Sequence, residues 1–170
     1  MVRIIIVNGL PRSGKDTFAT LAMNSYSGGV TVLHSTVDTV KKAAKFFGAD
    51  ESVFKGPKER RLWSDLKDAY TRYCDGPFQE IVDKAVEMDR SNSDPLIFTM
   101  VREPEEIRKL KQWFGSRSIT VLVNRQSDEE ISNHADARVF ECEYDVVIDN
   151  NGTLDDLRDK AKEFVTNLLQ

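Results

Sequence analysis

An apolar run, Ile4-Ile5-Ile6-Val7, leads almost directly into Gly9-Leu-Pro-Arg-Ser-Gly14-Lys15-Asp16-Thr17, and a helical pattern, Phe18-Ala-Thr-Leu-Ala-Met23, follows at once. Strand, glycine-bounded turn and helix in that order leave few folds open. The strand shows no polar alternation, so it is expected to be buried on both faces, as in a parallel sheet covered by helices. Gly9 and Gly14 allow backbone angles that side chains forbid, which lets successive N–H groups turn inward around an anion. The helix that opens near Lys15 aims its positive dipole end and its unpaired N–H groups at the same point. Gly9, Arg12, Ser13, Gly14, Lys15, Asp16 and Thr17 are therefore the candidate polyphosphate-binding residues, with the Lys15 ammonium reaching the outer phosphates. This pattern normally closes with Ser or Thr, whose hydroxyl ligates magnesium. Here Asp16 takes that place and is the candidate metal ligand, direct or through water, because a carboxylate suits that hard cation. Thr17 would put its hydroxyl on an inner phosphate. The plain alternative is a strand–turn–helix link with incidental glycines.

Further along, short apolar runs alternate with longer charged helical stretches, the pattern of parallel strands joined by crossover helices. Strands are predicted at 3–8, 31–34, 96–101, 118–123 and 144–148. Helices are predicted at 14–26, 38–47, 58–72, 77–88, 105–114 and 154–168. The expectation is a three-layer α/β/α domain spanning residues 1–170, with a sheet of roughly five parallel strands and right-handed connections. The helical block at about 36–90 is too long for a simple crossover and is the expected substrate-facing region. The polar, weakly periodic segment at about 126–143 is the expected lid over the site, where it would exclude water.

The chain of 170 residues suffices for one well-cored domain. Its net charge of −4 argues against binding a nucleic-acid polymer, which needs a basic stripe, but not against a nucleotide. The N-terminus runs straight into a strand, and no apolar stretch approaches the roughly 20 residues of a membrane span. Cys74 and Cys142 are isolated thiols with no metal spacing. A cytoplasmic protein without membrane attachment is expected, with a homodimer among the permitted assemblies.

Reaction chemistry has to come from elsewhere in the chain. Asp38 and Lys41 follow the second strand, where α/β sheets place ligands; they either face an acceptor or simply open a helix. Arg61 belongs to the basic cluster Lys55-Gly-Pro-Lys58-Glu-Arg60-Arg61, whose guanidinium groups suit a phosphate, or form solvated ion pairs. Arg102, after the third strand, is hard to explain as helix capping and is assigned to substrate or phosphate. Arg125, after the fourth strand, would cover the transferring group from the lid, or decorate a loop. Asn150, in the turn Asp149-Asn-Asn-Gly152, could touch the adenine ring through backbone groups. Trp63, Tyr70, Tyr73 and Phe78 could stack a base, although aromatics at helical spacing usually belong to a core.

Together these segments resemble the nucleoside monophosphate kinase superfamily of P-loop NTPases, most closely the small deoxynucleoside monophosphate kinases of bacteriophages. Gly9-x-x-x-x-Gly14-Lys15-Asp16-Thr17 matches that group's loop. Asp38-x-x-Lys41 with Ala43-Ala44-Lys45-Phe46-Phe47-Gly48 is similar to its Asp-Pro-Leu-Lys…Phe-Gly segment, with Thr39 where proline is usual. Val101-Arg102-x-x-x-Glu106 is similar to its Asp-Val-Arg-x-x-x-Glu segment, with Met100 in place of the aspartate. Val147-Ile148-Asp149-Asn150-x-Gly152-x-Leu154 resembles its terminal strand, turn and helix. The resemblance implies transfer of the γ-phosphoryl group of ATP, with Mg2+, to a (deoxy)nucleoside monophosphate. Lys15, Arg102 and Arg125 would serve the transferring group, and Asp38, Lys41, Arg61 and Arg102 the acceptor. Animal-type phosphomevalonate kinases carry a similar loop, so a small phosphorylated metabolite is the alternative acceptor. A catalytically weak ATP-binding protein is the third reading.

Overall fold

The structure, a computed structural model, describes residues 1–49, 56–90, 94–126 and 138–169. Its elements run β1 (Arg3–Asn8), α1 (Lys15–Ser25), β2 (Thr31–Ser35), α2 (Asp38–Lys45), α3 (Pro57–Cys74), α4 (Gly76–Asp89), β3 (Leu96–Met100), α5 (Pro104–Phe114), β4 (Ser118–Asn124), β5 (Val146–Asp149) and α6 (Leu154–Leu168). The five strands are all parallel, in the order β2-β3-β1-β4-β5. β1 is therefore the middle strand, with Val7 opposite Met100 of β3 and Asn8 opposite Leu122 of β4. The chain reverses its direction of travel across the sheet at β1, and that switch point is where such sheets bind ligands.

Two apolar layers explain why the strand sequences lack polar alternation. On one face, Ile5, Val7, Phe98 and Val121 pack against α1 and α6, where Phe18 meets Phe164 edge-on with ring centroids 5.5 Å apart. On the other face, Ile4, Ile6 and Ile97 pack under Ile81 of α4 and Ile107 and Leu110 of α5. α2 and α3 form a separate, smaller cluster around Val40, Ala44 and Trp63. They belong to the block predicted at 36–90, and no sheet residue enters their cluster.

Helix boundaries follow local chemistry. Pro57 and Pro104 open α3 and α5, a position where the missing N–H costs nothing. Thr153 caps α6, its Oγ1 accepting from Asp156 N at 3.2 Å. α3 departs from its predicted stripe of Leu62, Leu66 and Ala69/Tyr70 flanked by Trp63. Its most buried line instead passes through Trp63 and Lys67. The predicted fifth strand begins at Val146 rather than Tyr144, because side chains replace the ladder before it: the Asp145 carboxylate accepts from Thr120 N at 2.8 Å, and Asp145 N donates to Thr120 Oγ1 at 2.9 Å.

Candidate active site

The phosphate loop sits at the carboxyl end of β1. Three of its residues have positive φ: Gly9 at 154°, Arg12 at 57° and Gly14 at 92°. A Cβ at Gly9 would come within 2.5 Å of Ser13 Oγ and Val123 O, and one at Gly14 would run into Asn150 Nδ2. Only glycine fits these two positions, for conformation and for space. No side chain caps α1, so the N–H groups of its first turn face the loop interior. Ser13 is buried against Gly9, and its Oγ has no hydrogen-bond partner among the described residues. Lys15 is also buried, its Nζ donating to Leu10 O at 3.3 Å within the loop. A buried hydroxyl, an uncapped helix start and an ammonium thus belong to one short loop. Such a set of donors suits a chain of phosphates.

Neighbouring strands lock the loop's base. Asn8, fully buried, accepts from Gly9 N at 2.8 Å and donates to Tyr144 Oη at 2.8 Å and Arg102 O at 3.3 Å. Burial pushes the Tyr144 hydroxyl up to about 12. It therefore stays protonated and donates to Val139 O at 2.6 Å. Asn150 N bonds Asn124 O at 2.8 Å, and Asn150 Nδ2 bonds Ser13 O at 2.8 Å. Asn150 thus supports the loop from beneath through its side chain, whereas the sequence pointed only to its backbone groups.

For magnesium, the donors near the loop are the exposed Asp16 and Thr17 side chains in the first turn of α1. No cluster of three metal-ligating side chains occurs among the described residues. One carboxylate and one hydroxyl suit a cation that keeps most of its waters and takes its other ligands from phosphate. Met100, where the resembled family has aspartate, packs with Val7 and Phe18 on the α1 face and contributes only its carbonyl, to Thr36.

Of the remaining candidates, Asp38, Arg102 and Arg125 follow the carboxyl ends of β2, β3 and β4, whereas Lys41 and Arg61 sit on α2 and α3. Arg102 is half-buried immediately after β3, one strand from the loop. Asp38 opens α2 and folds back to accept from Ser35 N at 3.1 Å, closing the turn after β2. It lines a cleft of about 360 Å³ together with His34, Lys42, Glu80 and Asp83. Lys41 points elsewhere, its Nζ lying 5.5 Å from the centroid of the Trp63 ring on α3. Arg61 is exposed in the second turn of α3; Lys55, from the same basic cluster, lies outside the described residues. Arg125 is exposed just past β4, and residues 127–137 of the expected lid lie outside the described residues. Of the aromatics, Trp63 and Phe78 are core residues, and Tyr70 is half-buried and donates to Glu80 Oε1 at 3.0 Å. Only Tyr73 is fully exposed.

Two residues that no sequence motif marks, Lys67 and Glu103, meet in the packing beside the site. Burial opposes ionisation of Glu103, but Lys67, by its charge and by its hydrogen bond, outweighs burial and holds the carboxyl below the ordinary glutamate range. A lysine in a charged helix reads as solvated, and only its i,i+4 spacing from Trp63 hints otherwise.

No helix among the described residues is long and apolar enough to cross a membrane. No protein-family model and no curated protein matches the sequence. Solved structures do match in fold. A sugar kinase from Janibacter sp. HTCC2649 superimposes with a TM-score of 0.56 at 13% identity, covering 98% of this chain and 95% of its own. A shikimate kinase from Acinetobacter baumannii, in complex with shikimate, gives 0.55 at 9% identity, covering 99% and 94%. A thymidylate kinase from Candida albicans gives 0.54 at 16% identity, covering 98% and 92%. These similarities establish the three-layer P-loop fold with its five-stranded parallel sheet.

Proposed function

We propose that this protein is a phosphotransferase that moves the γ-phosphoryl group of ATP to a (deoxy)nucleoside monophosphate. One observation carries the reading: the loop at the end of the middle strand combines an uncapped helix start, a buried orphan hydroxyl and a buried ammonium. In the proposed reaction an acceptor phosphate oxygen attacks the γ-phosphorus, the bond to the β–γ bridging oxygen breaks, and ADP leaves. That oxygen is already anionic, so no general base is required. This agrees with Asp38, whose carboxylate is engaged by Ser35 N. Lys15 and the loop amides neutralise charge on the transferring group, while Arg102 and Arg125 hold donor and acceptor in line. Asp16, with Thr17 beside it, would hold magnesium, which when bound offsets charge on the phosphate oxygens. In this proposal Lys41 and Arg61 would serve the acceptor, as the resemblance to nucleoside monophosphate kinases implies.

A second acceptor class is favoured by one observation. Trp63 and Phe78, which could have stacked a base, are buried in helix packing. That favours a small phosphorylated metabolite. Coupled ADP release decides between the two, with AMP, GMP, CMP, UMP, dAMP, dGMP, dCMP, dTMP and phosphomevalonate offered in turn. Stimulation by a nucleotide supports the proposal, stimulation by phosphomevalonate alone transfers it to the second class, and stimulation by none overturns it in favour of a binding protein.

A further inference from the structure

Three ionisable side chains meet between α3 and the start of α5, and the phosphoryl-transfer chemistry uses none of them. Lys67, from the middle of α3, has 4% of its side chain exposed; Glu103 and Glu106, at the start of α5, have 19% and 11%. Lys67 Nζ bonds Glu103 Oε2 and, at 2.8 Å, Glu106 Oε2. Burying such a group is costly, and removing one partner strands the others. Its place in the fold gives it reach. Glu103 directly follows Arg102, whose carbonyl is held by Asn8, and Asn8 in turn holds Gly9 N. A continuous line of contacts thus runs from the phosphate loop through Arg102 to the cluster and into α3. α3 carries Trp63, on which Lys41 of α2 rests, so the cluster is joined through α3 to the α2–α3 pair.

We infer that Lys67, Glu103 and Glu106 form a proton-dependent clasp that holds α3 against the carboxyl end of β3 and thereby positions the acceptor side of the site relative to the phosphate loop. In naming an acceptor side, this rests on the function proposed above. Two carboxylates and one ammonium balance in charge only while one carboxyl keeps its proton. The two carboxyls share that proton as a pair, and Glu106 is the one shifted towards holding it. Burial pushes its carboxyl up to about 7 in spite of the Lys67 ammonium, and the Glu103 carboxylate beside it adds to the rise. Among the described residues, the charged groups that face it are Lys67 from α3 and Glu103 from the position that caps its own helix. Because the folded value is raised above 4.5, the stabilisation is fully present below that ordinary value. It is lost as pH climbs through about 7. Once Glu106 ionises, one ammonium faces two carboxylates and α3 is held less firmly.

Hydrogen exchange of the α3 amides tests the clasp in the wild type and in Glu106→Gln, which keeps a neutral hydrogen-bonding side chain. After correction for intrinsic exchange, wild-type protection across α3 should fall about tenfold between pH 6 and pH 8, the factor that one unit of titration carries. In Glu106→Gln the fall should vanish. The same fall in both proteins, or none in the wild type, overturns the clasp; the second outcome decides even if the variant does not fold. As a functional readout, the acceptor KM for whichever nucleotide the panel identifies, corrected for the ionisation of its own phosphate near pH ~6, should rise about tenfold over the same interval in the wild type and stay flat in the variant, with the ATP KM, corrected likewise, unchanged in both. An acceptor KM that rises equally in both removes the positioning role. The expected exchange result with no monophosphate phosphorylated leaves α3 clasped and overturns the acceptor assignment instead.

Discussion

Gly14 and Asn150 fix one another: a side chain at position 14 would strike the Asn150 amide, and that amide holds the Ser13 carbonyl. The glycine is legible in the sequence because its spacing from Gly9 and Lys15 has a local physical cause. Asn150 is legible only as part of a turn, because the bond that gives it a purpose spans 137 residues. Met100 stands out in the sequence as a departure, and its side chain fills the α1 face of the core where the resembled family has a carboxylate. Arg102 carries a sharper expectation. Its carbonyl is pinned by Asn8, so truncating the side chain should leave the loop unchanged. Arg102→Ala should raise the acceptor KM by about 10- to 100-fold, the worth of one or two hydrogen bonds to a charged group, with the ATP KM unaffected. Initial-rate kinetics with each substrate varied in turn measures this, and an unchanged acceptor KM and kcat removes Arg102 from the acceptor site.

Among the elements, strands and sheet-covering helices are the readable ones, since Ile4–Val7 and Leu96–Met100 are apolar or nearly so and buried throughout. α3 can be placed along the chain from its sequence, but its buried face cannot. Apolar periodicity marks a helix side that meets other apolar side chains, whereas part of this one meets an ion cluster through Lys67. The α2–α3 pair rests on a small apolar cluster of its own, which gives it less to hold it than the two layers against the sheet. Trp63→Ala should cost that pair about 3–5 kcal/mol. Limited proteolysis mapped by mass spectrometry should then show cleavage within α2 and α3 rising by roughly 10²- to 10³-fold or more, with the sheet uncut. Equal cleavage rates in variant and wild type would remove Trp63 as the anchor of the pair.

For the molecule as a whole, the proposed ligand binds the folded chain and has no site on the unfolded one, so it should stabilise the fold by mass action. At about 100 times its dissociation constant, MgATP should add about 2.7 kcal/mol, or roughly 5–10 °C in melting temperature for a chain of this size. Lys15→Ala should melt near the wild-type temperature without ligand and gain almost nothing on addition. A wild-type-sized gain in that variant would show that the ammonium does not grip the triphosphate. The way the loop is built also bears on the order of events during synthesis. Its floor is supplied by Asn150, which follows β5, and one wall by Val123 of β4. A chain leaving the ribosome makes residues 9–17 early, yet the amide that holds the Ser13 carbonyl joins them only once position 150 has emerged.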